Sequence, residues 1–481
     1  MQVLRSYLII NCPHGWKSVI GLVLVLFVLT ACTAHYPIND SVTSADELNR
    51  YTLQREPGTV RSEELLFVLT FSGGGTRAAA LSYGVLRTLA DTQIVIDGQS
   101  RRLIDEVDAI SSVSGGSFTA AYYGLFGDRI FEDFEEKFLK YDVQSELTRR
   151  VISPASWPKL GSLYYERSDL AADYYDELLF EKKTFQDILI SKGPLIAINA
   201  TNLALGSQFS FIGSQFAPIC ADLSSYPVSR AVTASSAVPG AFTSIILKNY
   251  AGTCDFQMPE WATAALLGRK VNTRHYSHAK LLSDYLNTEE QPYIHLFDGG
   301  ISDNLGIRLL INLTYVEGGI WNKLKDLDLV STRKLVVIVV NAQKEVDTSF
   351  TKRDYSVPLL DTLGAASAAP LNRYSFETME LLRSNMSRWK DAITAGRCKE
   401  AASRNSETGK NTYRVTPACA AKTYVIEVAF EMLEDEAERE HLLHLPTSFN
   451  LEPTDVDRLT AAARQILQNS KTFQALIKDL Q

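Results

Sequence analysis

Apolar positions along this chain change their spacing in a way that separates buried strands from amphipathic helices. Residues 65–71 (LLFVLTF) form a continuous apolar run, suited to a strand covered on both faces. Gly73, Gly74 and Gly75 break it, and Ala78, Leu81, Val85, Leu86 and Leu89 then follow as the stripe of a helix packed on one side. The same grammar returns at residues 107–112, a short strand that runs into Ser114, Gly115 and Gly116 and then into a helix of small and aromatic residues through Tyr122 and Leu125. Further strands are predicted at 195–199, 208–212, 293–297, 335–340 and 424–430. Apolar strands alternating with helices predict an α/β fold built on a layered sheet. Residues 131–188 are charged, helical and aromatic and read as a helical insertion over one end of that sheet. Its Trp157, Tyr164, Tyr165, Tyr174 and Tyr175 are expected to serve packing rather than a lipid surface. Residues 346–481 read as a mainly helical C-terminal extension carrying one strand.

The amino-terminal segment follows a different pattern. Arg5 and Lys17 precede an uncharged apolar run at 19–29, which reads as the core of an export signal. At about 1.5 Å per residue the run is too short to cross roughly 30 Å of hydrocarbon. It ends in Leu29, Thr30, Ala31 and Cys32, which resembles the lipobox of bacterial lipoproteins. The resemblance implies that residues 1–31 are a signal peptide, that Cys32 carries diacylglycerol and acyl chains such as palmitate, and that residues 32–64 are a tether needing no stable structure. Cleavage by a general signal peptidase near Cys32, Thr33 and Ala34 is the soluble alternative. Thr33 rather than Asp after the cysteine points, by resemblance to lipoprotein sorting rules, to the outer membrane of the cell envelope, facing the periplasm.

With 481 residues, 46% of them hydrophobic, the chain can bury a full core and allows two or three domains. Its formal net charge is −8, and loss of the leader removes two cations more, so nucleic acid is a poor partner. Of the six cysteines, Cys12 leaves with the leader and Cys32 is assigned to lipid. Cys220, Cys254, Cys398 and Cys419 remain, and an exported protein can oxidise them. Three pairings are possible, and sequence order favours Cys220 with Cys254 and Cys398 with Cys419. No CxxC pair lies near them, and His441 and His444, which share a helix face, lack a third ligand, so no metal or other cofactor is expected.

Three sites carry chemistry. Ser72-Gly73-Gly74-Gly75-Thr76-Arg77 stands between a buried strand and a helix, where consecutive glycine amides suit an anion, either a phosphate or the oxyanion of acyl transfer. Gly73, Gly75 and Ala78 also match the dinucleotide pattern GxGxxA, with Asp97 at about the distance of a ribose ligand. Ser112-Val113-Ser114-Gly115-Gly116 reads as a strand-to-helix elbow with Ser114 at the turn, although Ser112 replaces the first glycine of GxSxG. Asp298-Gly299-Gly300 follows the strand at 293–297, where an Asp can reach across the sheet to another loop. Each has a plainer reading as a turn; a dinucleotide enzyme, however, has no use for the elbow.

Taken with Ala234-Ser235-Ser236-Ala237-Val238-Pro239-Gly240-Ala241-Phe242, these motifs resemble patatin-like phospholipases over residues 65–345. The resemblance implies a patatin-like layered α/β/α sheet with helices on both faces, and a Ser–Asp dyad that cleaves lipid acyl esters without histidine. By matched position Ser114 is the nucleophile and Asp298 the base, while Gly73, Gly74 and Gly75 supply the oxyanion hole. Arg77, Gly116, Gly299 and Gly300 support the motifs, Arg77 by bracing the loop or meeting a phosphate. Ser72 stands where plant patatins carry Asp. The substrate implied is a membrane lipid or phospholipid. The alternative is a lipoprotein that binds acyl chains or partners and has lost turnover. His295 lies three positions before Asp298, so strand parity turns its ring away and a triad is not expected.

Overall fold

Every residue of β1 (Leu65–Phe71) is buried, as an uninterrupted apolar strand must be when both faces of its sheet are covered. The computed structural model describes residues 39–44, 51–53, 61–96, 98–162, 164–271, 273–316, 318–344, 354, 359–405 and 415–481. The apolar run at 19–29 and Cys32 lie outside them. Among the described residues no helix is long and apolar enough to cross a membrane. After β1 come the two-stranded hairpin β2 (Gln93–Ile96) and β3 (Gln99–Arg102), then β4 (Ala109–Val113), β5 (Leu195–Asn202), β6 (Ser207–Phe211), β7 (Ile245–Lys248), β8 (Tyr293–Asp298), β9 (Lys334–Asn341) and β10 (Lys422–Ala429). The main sheet runs β10-β9-β1-β4-β5-β8-β7, with β6 also paired to β5. From β10 to β5 the pairs are parallel; β6, β7 and β8 join antiparallel.

The principal helices are α1 (Gly75–Asp91), α2 (Gly115–Phe126), α3 (Arg167–Tyr175), α4 (Val228–Ser236), α5 (Leu359–Asn405), α6 (Pro453–Asn469) and α7 (Lys471–Leu480). Strand parity sorts the core into two layers. Phe67, Leu69 and Phe71 point to one face, into a cluster with Leu86 of α1 and Leu459 of α6. Leu66 and Val68 point to the other, against Leu382, Met386 and Trp389 of α5. Each fully buried large apolar side chain of this kind stabilises the fold by about 1.5–3 kcal/mol.

Three arrangements refine the sequence reading. The region at 346–481 is no appendage: β10 pairs with β9 from Lys422 opposite Lys334 to Ala429 opposite Asn341 and completes the sheet. The expected tether at 32–64 is docked in part. Asn39 exchanges two hydrogen bonds with the backbone of Lys248 on β7, and the Tyr51 hydroxyl donates to Ile196 O at 2.8 Å from a buried position. An aromatic ring and an amide with matching partners outweigh the polar composition around them. Within the helical insertion, Tyr165, Tyr174 and Tyr175 are buried, whereas Trp157 and Tyr164 are 54% and 61% exposed. Phe138 of the insertion stacks on Phe118 of α2 at 4.5 Å, so the insertion is packed against the helix that follows Ser114. Cys220–Cys254 and Cys398–Cys419 are joined as disulfides.

Candidate active site

The register of β5 brings two distant residues together. Its edge at Ile198–Asn202 facing away from β4 is taken by β6, so β4 and β8 share the opposite edge. They approach along it in opposite directions. Val113, the last residue of β4, lies opposite Asn199, and Asp298, the last of β8, lies opposite Ala200. Ser114 therefore cannot extend β4 by another rung, because Asp298 occupies it. The chain turns sharply instead, with Ser114 at φ 49° and ψ −122°, and Gly115 opens α2. Such a conformation is costly for a residue with a Cβ and persists only where its surroundings over-determine it. It leaves the Ser114 side chain aimed at Asp298: Oγ donates to Oδ2 at 2.9 Å, with both residues 7% exposed.

Asp298 is held by more than Ser114. Its Oδ1 accepts the Gly300 N–H at 2.8 Å, and the Gly299 N–H donates to Ser235 O at 3.0 Å. Burial raises its pKa from 3.8 to about 6, against the opposing pull of the Gly300 and Ser114 hydrogen bonds. A carboxylate so tuned is ionised at neutral pH yet basic enough to accept a proton.

The glycine loop lies against the elbow. A Cβ on Gly115 would meet Gly75 O at 2.0 Å and Gly75 N at 2.7 Å, so only glycine permits this approach. The amides of Gly74, Gly75 and Gly115 have no hydrogen-bond acceptor among the described residues, at the adjoining N-termini of α1 and α2. Unpaired amides at helix N-termini carry partial positive charge and suit an anion. Gly73 departs from expectation: its N–H already donates to Asn304 O at 3.0 Å and is not available to an oxyanion. A side chain there would strike Asn304 Oδ1, so this glycine serves close packing. The Gly115 amide, which the sequence reading did not single out, stands beside those of Gly74 and Gly75 directly after the Ser114 turn. Gly116 packs on Ser72 O, where a Cβ would come within 2.7 Å.

Arg77 does not face the site. It is 2% exposed, and its guanidinium donates to Ala342 O at 2.9 Å, to Leu445 O and to Thr447 Oγ1 at 3.2 Å. Burial lowers its pKa to about 10. The neighbouring Thr76 N–H donates to Ser448 O at 2.9 Å. Residues 445–449 thus form a strap from the C-terminal region across the start of α1. Of the two roles expected for Arg77, the geometry matches bracing of the loop.

The two departures from the family motif are accommodated. Ser72 Oγ accepts the Ala342 N–H at 2.9 Å, and Ser112 Oγ reaches Ala197 O at 3.4 Å from within the sheet. His295 is exposed and its Nδ1 meets Ser244 Oγ at 3.0 Å, away from Asp298 as strand parity requires. The dinucleotide reading loses its frame, because α1 is followed by the separate β2–β3 hairpin rather than by a strand of the main sheet. Asp97 itself lies outside the described residues.

A sheet layered by helices, with a serine elbow, a glycine loop and a buried aspartate at adjoining strand ends, is the framework of a lipid acyl hydrolase. The model of the patatin-like phospholipases matches residues 69–311, and the chain belongs to that family. No curated protein sequence matches it significantly. Among solved structures it is similar to human GIVD cytosolic phospholipase A2, at 14% identity and a TM-score of 0.45, over 98% of this chain and 67% of that one. The same human enzyme in complex with methyl gamma-linolenyl fluorophosphonate gives 12% identity and a TM-score of 0.39, over 98% and 64%. The chain thus spans about two thirds of the human enzyme's length.

Proposed function

We propose that this protein hydrolyses carboxylic esters of phospholipids or lysophospholipids through an acyl-serine intermediate, with Ser114 as nucleophile and Asp298 as base. The observation that carries this reading is the 2.9 Å hydrogen bond from Ser114 Oγ to Asp298 Oδ2 beside amides that have no acceptor among the described residues. As Oγ attacks the ester carbonyl, Asp298 takes its proton, and the carbonyl oxygen becomes an oxyanion facing Gly74, Gly75 and Gly115. Collapse breaks the ester C–O bond, and the alcohol leaves with the proton from Asp298. A water then gives its proton to Asp298 and attacks the acyl-serine, which releases the fatty acid and restores Ser114. The Gly300 N–H keeps the carboxylate oriented throughout. Lipidation of Cys32 in the cell envelope belongs to the same proposal and would hold the enzyme at its substrate's surface. The test is reaction of the purified protein with an alkyl phosphonate active-serine probe, followed by peptide mapping. Label on Ser114 is expected; a folded protein that takes none, or takes it elsewhere, overturns the reading.

A further inference from the structure

Beyond the dyad and the glycine loop, one buried residue bonds to both halves of the centre. Ser235, fully buried on the last turn of α4, accepts the Ser114 N–H on its Oγ at 2.8 Å. Its own carbonyl accepts the Gly299 N–H at 3.0 Å, and two positions on, Ala237 O accepts the Asp298 N–H at 3.0 Å. A hydroxyl has one proton to give. The 2.6 Å approach to Asn199 O takes it, so Ser117 is the donor in the 3.0 Å contact between the Ser117 and Ser235 hydroxyls. Asn199 is fixed in turn. Its Nδ2 donates to Ser111 Oγ and Ser112 O at 2.9 Å each, and its Oδ1 accepts from Gln208 Nε2 at 3.0 Å and Ser210 Oγ at 2.7 Å.

We propose that Ser235 is a positioning residue that sets the distance between Ser114 and Asp298, through its hydroxyl on the nucleophile's amide and its carbonyl on the base's loop. The proposal rests on the Ser–Asp reading of the site. The sharp turn at Ser114 takes its amide out of the β4 ladder, so a side-chain acceptor must replace the sheet. Ser235 Oγ is that acceptor, and it is anchored through Asn199 to the strand that aligns β4 with β8. Without it, a buried N–H in a strained turn has no partner, and the turn relaxes to find one. Displacing a nucleophile by about 1 Å costs on the order of 100-fold in rate. The bond acts after substrate has bound, so it moves turnover rather than affinity.

The test compares neighbouring serines on one helix. Ser235→Ala is expected to lower kcat on a short acyl ester, and the labelling rate by a phosphonate probe, roughly 10- to 100-fold, with KM within about twofold. Ser235→Thr, which keeps the hydroxyl, should recover most of the loss. Ser236→Ala removes a buried hydroxyl that, among the described residues, bonds only within α4, to Val232 O at 2.8 Å and Thr233 O at 3.4 Å, and should leave both rates near the wild type. Hydrogen exchange of the Ser114 amide should quicken in Ser235→Ala alone. Activity in Ser235→Ala close to that of the wild type, or equal losses in both alanine variants in step with their melting temperatures, would overturn the proposal. Should the threonine variant fail to fold, the comparison of the two alanine variants decides. If the wild type neither turns over ester nor takes the probe, the hydrolase reading falls, and Ser114 amide exchange still separates the outcomes: faster exchange upholds the positioning role, and unchanged exchange removes it.

Discussion

Replacing Asp298 by Asn should make the protein inactive and, at alkaline pH, more stable. The carboxylate is buried and its pKa stands at about 6 instead of 3.8, so keeping it ionised in the folded state costs stability. A shift of about two units corresponds to about 3 kcal/mol, at about 1.4 kcal/mol per unit. The sign follows from the direction of the shift. A carboxyl whose folded pKa is raised contributes stability below its unfolded pKa and loses that contribution as pH rises through the folded one. The loss therefore falls between about pH 4 and pH 7. Asn carries no charge and fits the same bonds: Oδ1 can accept the Gly300 N–H, and Nδ2 can donate to Ser114 Oγ. Asp303, whose burial likewise raises its pKa to about 6, is present in both proteins and cancels. Unfolding free energies of the two proteins from denaturant titrations between pH 4 and pH 8 should diverge with rising pH, Asp298→Asn standing higher by up to about 3 kcal/mol at the alkaline end. Wild-type kcat/KM should rise with an acid limb near pH 6, with about a tenth of the plateau remaining at pH 5. An Asn variant that is less stable than wild type at pH 8, or a gap that does not change with pH, would refute burial as the cause of the shift. Turnover in the variant would remove Asp298 as base.

Three further outcomes are expected. Ser114→Ala should lose activity as completely as Asp298→Asn, and the double variant should be scarcely worse than either, as for residues acting as one unit; additive losses in ester assays would separate them. His295→Ala should stay active, since its ring meets Ser244 rather than Asp298, and a folded but dead variant would point to a triad. Cys32→Ala should release the protein from membranes into the salt-washed supernatant; retention on the washed membranes would place the anchor elsewhere.

Long, uniformly apolar strands were legible in the sequence because burial on both faces leaves one reading of the pattern: residues 65–71 and 335–340 fall within β1 and β9. β7 and the β2–β3 hairpin escaped, being four residues per strand, too short for a period to declare itself. At the site, Ser114, Asp298 and the glycine loop stood out by motif, but how they meet did not. The head-to-head approach of β4 and β8 depends on a shared edge of β5, and pairing partners are not written in local spacing. For the same reason Gly73 reads in the sequence as a free amide donor, whereas in the fold Asn304 O takes its N–H. Asn199 and Ser235 carry no signal of their own, although Ser235 lies within the ASSAVPGAF motif at 234–242. The cysteines were easier. With two of the six set aside, order along the chain favoured the pairs that the structure joins.

The strap at 445–449 makes the bracing of the glycine loop depend on a late part of the chain. Synthesis runs from the amino terminus, so Ser114 and Asp298 both precede Leu445 and Ser448, which receive Arg77 and Thr76. Until those residues are made, Arg77 has Ala342 O but neither Leu445 O nor Thr447 Oγ1, and β9 has an open edge where β10 will pair. An unfinished or clipped molecule therefore holds both dyad residues in an unbraced frame.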